Sequence, residues 1–304
     1  MALTKLTSTD AFVVVDLPDA PASGVVRRAR KILQSSAADL ARSATYTFGA
    51  FGMQRSGASA GINAEGDAID GAIEAFSTEI GPKVESGELH LEAGKGLETD
   101  QLASLRDLSS TGAFGGSPEL LSAGVVAATA WAVGGDLRGR TVAIEGHKQA
   151  PAQLHAALGN AGATVVDVWG VGEKPWLVWG AEVDAILAGS KPGTLTHQGT
   201  EFITAKAIVP WGPLPVTTKA FAQLRKAGDV TVVPDFVSTA GYLIGGLLDG
   251  DEGDVTSLVV EKILGVLTEA ATHPDGVLLG ACHLAEAFIE TWQEKKPFGR
   301  PLAA

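Results

Sequence analysis

The rhythm of apolar and polar positions divides the chain into two stretches. In the first, Ala11-Phe12-Val13-Val14-Val15 is a short β-branched run that predicts a strand, and Asp19-Ala20-Pro21 breaks it. From Ser23 to about Met53 apolar residues recur at helical spacing, with Val25, Val26, Ala29, Ile32 and Leu33 on one stripe, which predicts a helix. A Gly/Ala/Ser-rich stretch, Ser56 to Gly66, separates it from a second predicted helix, Ile69 to Val84, and a short strand, Glu88 to Glu92. In the second stretch strands and helices alternate. Leu120 to Val133 predicts a helix ended by Gly134-Gly135. Thr141 to Glu145 reads as a buried strand, Ala152 to Ala161 as a helix, and Thr164 to Trp169 as a second strand. Val183 to Leu187, Ala207 to Val209 and Val230 to Val233 supply further strands, and Val255 to Trp292 is helical. This alternation predicts an α/β fold with a doubly wound, mostly parallel sheet covered on both faces.

Composition changes the picture in a few respects. A chain of 304 residues is long enough for two domains, and 45% apolar with 19% charged residues is globular. A formal charge of −12 disfavours nucleic acid and anionic membranes as partners. No positively charged leader precedes an apolar run, and no run is long and apolar enough to span a bilayer, so the expected location is cytoplasmic. The one cysteine, Cys282, lies in an apolar helical pattern and reads as an inert core thiol. The six histidines are scattered without ligand spacing, so no metal is expected. No nucleophilic-cysteine motif is present.

The strand–glycine–helix unit from Thr141 to Ala161 is where a doubly wound fold binds a dinucleotide. The glycine-rich fingerprint is reduced here to Gly146-His147-Lys148-Gln149-Ala150-Pro151. Only the first glycine is present, and Lys148 stands where the pyrophosphate would approach. Pro151 in the first helical turn leaves the helix free to start and to favour an anion. The acid that would hold the adenosine ribose is replaced by Trp169-Gly170, with Asp167 and Glu173 as the nearby substitutes. NAD or NADP on Gly146, His147, Lys148 and Asp167 is one reading. A nucleotide fold that has lost its nucleotide is the other.

Four segments resemble the glutamate/leucine/phenylalanine/valine dehydrogenase family. Gly52-Met53-Gln54-Arg55-Ser56-Gly57-Ala58-Ser59-Ala60-Gly61-Ile62-Asn63 is similar to its G-M-T-Y-K-N-A-A-A-G-L-N stretch. Thr111-Gly112-Ala113-Phe114-Gly115-Gly116-Ser117 is similar to its T-G…A-F-G-S-S turn, and Leu137 to Gly146 to L-x-G-K-T-V-A-I-Q-G. Pro234-Asp235-Phe236-Val237 and Ala240-Gly241 are similar to P-D-Y-V…A-G-G. The resemblance implies an N-terminal substrate and oligomerisation domain over residues 1–118 and a Rossmann-like domain over 119–247. It further implies C-terminal helices over 248–304 that return to the first domain, a homo-oligomer, and NAD(P)-linked deamination of amino acids. In that mechanism one lysine grips the substrate carboxylate, a second is the acid/base, and an aspartate transfers a proton.

Those roles do not carry over. The gripping lysine falls on Ser56, with Arg55 beside it, and the catalytic lysine on Ala68. The aspartate falls on Gly94 or Lys95, the asparagine before A-G-G on Thr239, and the A-N-N segment within Pro210-Trp211-Gly212-Pro213. Deamination at neutral pH needs a positioned base with a shifted pKa, which an alanine cannot supply. The first expectation is therefore an altered NAD(P)-linked oxidoreductase acting on another small molecule, with Arg55, Lys95, Asp184 and Lys191 as candidate catalytic groups. The alternatives are a non-catalytic ligand-binding or regulatory protein for an anionic or aromatic ligand, and a non-redox enzyme on the same cleft. Asp184 to Lys191 is assigned with Glu145 to Lys148 to the carboxyl edge of the sheet. Asp67 and His197 are further polar candidates, and Asp235 is expected to cap a helix. Trp169, Trp176, Trp179 and Trp211 suggest loop packing or an aromatic-lined pocket.

Overall fold

A computed structural model describes residues 1–109, 115–168 and 175–303, and counts and absences refer to those residues. The chain forms two compact units. The first holds Met1–Gly116, Gly246–Asp249 and Ala285–Pro301; the second holds Ser117–Gly245, Gly250–Leu284 and the residues from Leu302.

The first unit contains strands β1 (Ala2–Lys5), β2 (Ala11–Val15), β3 (Ala22–Ala29), β4 (Ser56–Asn63) and β5 (Leu89–Ala93) in the order β1-β2-β4-β3-β5. β1 and β2 pair antiparallel, as do β2 and β4, whereas β3 runs parallel to both β4 and β5. Its helices are α1 (Gln34–Ala50), α2 (Ile69–Glu85) and α3 (Ala103–Leu108). Side chains alternate along β2. Ala11 and Val13 join Ile73, Phe76, Ile80 and Val84 of α2 in one core, while Phe12 and Val14 join Ala37 and Ala41 of α1 in the other.

One expectation for this region is corrected: the helix predicted from Ser23 is the strand β3 followed by α1. The Gly/Ala/Ser-rich stretch, to which the sequence pattern assigns no element, is β4, the middle strand of the sheet and almost wholly buried. Its small residues are what α1 requires: a Cβ on Gly57 would lie 1.9 Å from the Ala41 carbonyl oxygen of α1. The other face of β4 carries Ala58, Ala60 and Ile62 into the α2 core. Pairing with a strand so poor in large side chains, and not helical spacing, decides the conformation of Val25 and Val26.

The second unit opens with α4 (Pro118–Ala132), whose first turn is capped by Ser117. It continues through β6 (Thr141–Ile144), α5 (Ala152–Asn160), β7 (Thr164–Val165), β8 (Ala185–Ala188), α6 (His197–Thr200), β9 (Ala207–Pro210) and α7 (Thr218–Ala227). β10 (Thr231–Val232), α8 (Asp235–Ser238), α9 (Gly241–Ile244) and α10 (Glu252–Ala270) follow, then α11 (Val277–Ile289), which belongs to this unit as far as Leu284. The sheet order is β10-β9-β8-β6-β7 with every pairing parallel, the doubly wound arrangement the alternation predicted. The predicted strand Thr164 to Trp169 is shorter than expected, with Trp169 outside the described residues. The helical tail is two helices joined by a turn. α10 packs on α4 within this unit. Cys282 is fully buried. Among the described residues no helix is long and apolar enough to cross a membrane.

Candidate functional site

In an open parallel sheet, ligands bind outside the carboxyl ends of the strands, at the point where the strand order reverses. Here that point lies between β6 and β8, since β7 flanks β6 on its other side. The loop after β6 begins at Glu145, the loop after β8 at Gly189 and the loop after β9 at Trp211.

Glu145 bridges the first two loops. Its carboxylate is buried and accepts the N–H groups of Gly189 at 3.1 Å and Ser190 at 3.0 Å on Oε2. Its Oε1 accepts the hydroxyls of Ser190 at 2.5 Å and Thr194 at 2.9 Å. Four donors converge on one side chain, whose two oxygens both accept. The carbonyl oxygen of Glu145 accepts the Trp211 indole N–H at 2.9 Å. Gly189 and Gly212 are in backbone contact, so a Cβ on Gly189 would lie 2.3 Å from the Gly212 nitrogen and 2.7 Å from the Trp211 ring.

The turn after Gly212 is held under strain. Leu214 has φ 53°, the left-handed region that a branched side chain rarely adopts, and its N–H donates to Asp235 Oδ2 at 2.9 Å. Asp235, expected to cap a helix with its side chain, instead spends an oxygen on this turn. Pro234 occupies the cap position of α8 and no side chain caps it. A buried N–H facing away from any strand needs such an acceptor.

The dinucleotide loop itself is a tight turn. Gly146 has φ 70°, and its carbonyl accepts Gln149 N–H at 2.7 Å and Ala150 N–H at 3.1 Å. A Cβ on Gly146 would lie 2.4 Å from Ser190 Cβ, so the two loops meet with no gap at this point. His147 is half-buried, edge-on to His155 of α5 with ring centroids 4.4 Å apart. Lys148 and Asp167 are exposed at this same edge. The second and third glycines of the fingerprint are replaced here, and the buried Glu145 carboxylate stands at the start of this loop.

The remaining candidates are dispersed. Asp184 precedes β8 and sits at the amino ends of the strands, so its assignment to the carboxyl edge is corrected. Its carboxylate accepts Thr141 N–H at 2.9 Å, the Thr141 hydroxyl at 3.1 Å and Arg140 at 3.2 Å. The Thr141 N–H, then the Thr141 hydroxyl and Arg140, hold its carboxyl below the usual range. That is a structural clamp joining β6 to β8. Lys191 is exposed on the loop after β8, at the same edge as Glu145. His197 is exposed at the start of α6.

Arg55 and Lys95 lie at opposite ends of the first unit's sheet. The register puts Arg55 level with Pro21 and Lys95 level with Arg28, seven residue steps or roughly 23 Å apart at ~3.3 Å per residue. They therefore do not form one site. Arg55 is half-buried, donates Nη1 to Ser23 Oγ at 2.9 Å, and burial lowers its pKa. Ser56 is fully buried, accepts Leu17 N–H at 2.8 Å and donates to the Gly57 carbonyl at 3.2 Å, so it has no role as a substrate grip. Asp67, Ala68 and Lys95 are exposed. Thr111 to Phe114 of the T-G turn, Trp169, Gly170 and Glu173 lie outside the described residues.

The tryptophans do not form one wall. Trp176 is 61% exposed, Trp179 is buried against Gly199, and Trp211 is committed to the Glu145 carbonyl. Two arrangements were not foreseen from sequence. Glu145 carries a legible signal, an acid ending a buried strand immediately before a glycine. The group His273, Asp275 and His283 carries none, because a turn and part of α11 separate its members.

No family model matches the chain, and no curated protein matches it by sequence. Solved structures do. The hetero-hexameric glutamate dehydrogenase of Thermus thermophilus in its leucine-bound form is 20% identical with a TM-score of 0.79, over 98% of this chain and 90% of that one. The L-tryptophan dehydrogenase of Nostoc punctiforme is 19% identical with a TM-score of 0.70, over 95% of this chain and 96% of that one. The glutamate dehydrogenase of Peptoniphilus asaccharolyticus is 13% identical with a TM-score of 0.68, over 94% and 87%. At these identities the likeness is one of fold, and the chain is an α/β protein with the amino-acid-dehydrogenase fold.

Proposed function

We propose that this chain is a ligand-binding protein built on a dehydrogenase fold, taking a small anionic molecule without dinucleotide-linked deamination. The observation that carries this reading is the Glu145 bridge. A buried carboxylate with four donors ties the loop after β6 to the loop after β8 where a pyrophosphate would otherwise approach. The replacement of both family lysines by Ser56 and Ala68 supports it independently. Arg55 supports an anionic ligand, since a half-buried guanidinium is matched to a carboxylate. A homo-oligomer is part of the proposal; the hetero-hexameric glutamate dehydrogenase that shares the fold supports assembly on this scaffold.

A second reading, an altered NAD(P)-linked oxidoreductase, is supported by the start of α5, where no side chain caps the helix. Thermal shift with NADH and NADPH separates the two. Specific binding at a hundredfold excess over the dissociation constant would stabilise by about 2.7 kcal/mol. The expected result is no saturable shift with either, and no turnover of glutamate, leucine, phenylalanine, valine or tryptophan followed by NADH absorbance. A saturable shift, or turnover near ~1 per second, overturns the proposal. For the assembly, light scattering that reports a 31.1 kDa particle would do the same.

A further inference from the structure

We infer that the turn between α10 and α11 is a binding site for a borderline divalent cation, with His273, Asp275 and His283 as its ligands. The three side chains each offer an atom, and these atoms all lie within 4.8 Å of one another. Ligand atoms around an ion with bonds of ~2.0–2.1 Å sit roughly 3.4 Å apart in a tetrahedral site, so their mutual separations need close by only about an ångström.

The backbone prepares this arrangement. Gly280 of α11 presses on the end of α10, where a Cβ would lie 2.0 Å from the Ala270 carbonyl oxygen and 2.9 Å from His273 Cβ. That close approach sets His283, three residues further along the same helix face, against His273, their ring centroids 4.3 Å apart. Asp275 is divided between two tasks. Its Oδ1 pairs with Arg225, and its Oδ2 faces His273 Nδ1 at 3.9 Å. Arg225 thus holds the carboxylate so that one oxygen is presented, the orienting role that outer partners play around metal ligands.

Two adjustments accompany ligation. His273 Nδ1 accepts the Asp275 N–H at 3.1 Å, and the ion would take over that lone pair. The rings lie within 22° of parallel, whereas a metal lies in the plane of each ring that binds it. His283 is exposed and turns about its Cβ to bring a nitrogen to the ion. Two imidazoles and one carboxylate oxygen suit zinc and its neighbours better than calcium or magnesium, which prefer all-oxygen sites. With three protein ligands, the fourth position opens to solvent.

The test is calorimetric titration of Zn²⁺ into the tag-free, full-length protein at neutral pH, repeated for His283→Ala, Asp275→Asn and His155→Gln. Saturable uptake of one equivalent is expected for the parent. Affinity should fall by about tenfold or more in H283A and D275N and stay unchanged in H155Q, which tests the other histidine pair. Substitution by Co²⁺ should give the visible absorption of a low-coordinate site in the parent and not in H283A. His283 is exposed, so the folded state survives its replacement, and circular dichroism of each variant verifies this. Absence of saturable Zn²⁺ binding, or binding that persists in both H283A and D275N, overturns the inference.

Discussion

Replacing Glu145 probes the bridge on which the functional reading depends. In Glu145→Gln the amide oxygen takes the place of Oε2 and accepts the Gly189 and Ser190 N–H groups, while the amide NH₂ takes the place of Oε1. The hydroxyls of Ser190 and Thr194 rotate to accept from it, so every polar group keeps a partner. The loss is the difference between charged and neutral hydrogen bonds, about 1–2 kcal/mol. Glu145→Ala has no such rescue. The hydroxyls can turn to other acceptors, but the two N–H groups lose theirs, at about 1–3 kcal/mol each where water does not reach them. A loss of about 2–5 kcal/mol follows, reduced where the Ser190 N–H, which is only part-buried, reaches water. The assay is urea unfolding followed by tryptophan fluorescence, which senses the bridge directly because Trp211 donates to the Glu145 carbonyl. The glutamine variant should lie close to the parent and the alanine variant well below it. The resembling family stretch has glutamine at this position, so E145Q also removes the charge opposed to a pyrophosphate. NADH binding should then be stronger in E145Q than in the parent. An alanine variant within ~0.5 kcal/mol of the parent, or a glutamine variant as damaged as alanine, refutes the reasoning.

Three further outcomes follow from the first unit. Glu79 of α2 accepts both N–H and hydroxyl groups of Thr7 and Ser8, and these bonds, led by the Ser8 hydroxyl, bring its pKa down to about 2. A depressed carboxylate stabilises the fold above its unfolded value near ~4.3 and loses that contribution as pH falls toward the folded value. Urea midpoints between pH 5 and 2 should therefore fall less steeply in Glu79→Gln than in the parent, and parallel curves would contradict this. Asp16 accepts Arg42 Nε and Nη2 at 2.8–2.9 Å in a pair whose side chains are 1% and 11% exposed. Asp16→Ala leaves the guanidinium buried without its counter-ion, and chemical denaturation should register about 3–5 kcal/mol. Gly57→Ala places a methyl 1.9 Å from the Ala41 carbonyl oxygen and should cost about 3 kcal/mol or more in thermal unfolding, or abolish soluble expression. A wild-type melting temperature would show that α1 does not need this contact.

The sequence by itself determined the elements whose burial is written in local periodicity. α2, α4 and α5 appear where apolar spacing predicts them, and β6 and β9 where short β-branched runs do. The parallel, doubly wound sheet follows from their alternation, and the departure of Gly146 to Pro151 from the glycine-rich fingerprint is legible in the sequence. Only the tertiary structure decided the rest, because each remaining feature depends on a neighbour distant in sequence. β4 carries almost no hydrophobic pattern, since the helix lying across it leaves room for glycine and serine only. β3 is a strand because β4 and β5 supply its hydrogen bonds, although its own spacing suits a helix. Asp184 reads as a candidate catalytic acid at the carboxyl edge of the sheet, and the structure makes it a clamp at the opposite edge through a residue 43 positions away. Glu145 ends a strand in any reading, but its four donors arrive from positions 44 to 49 residues further on. Periodicity records which face of an element is buried. It does not record which groups fill that face, and the chemistry of this protein's crevice and of its α10–α11 turn is set by those groups.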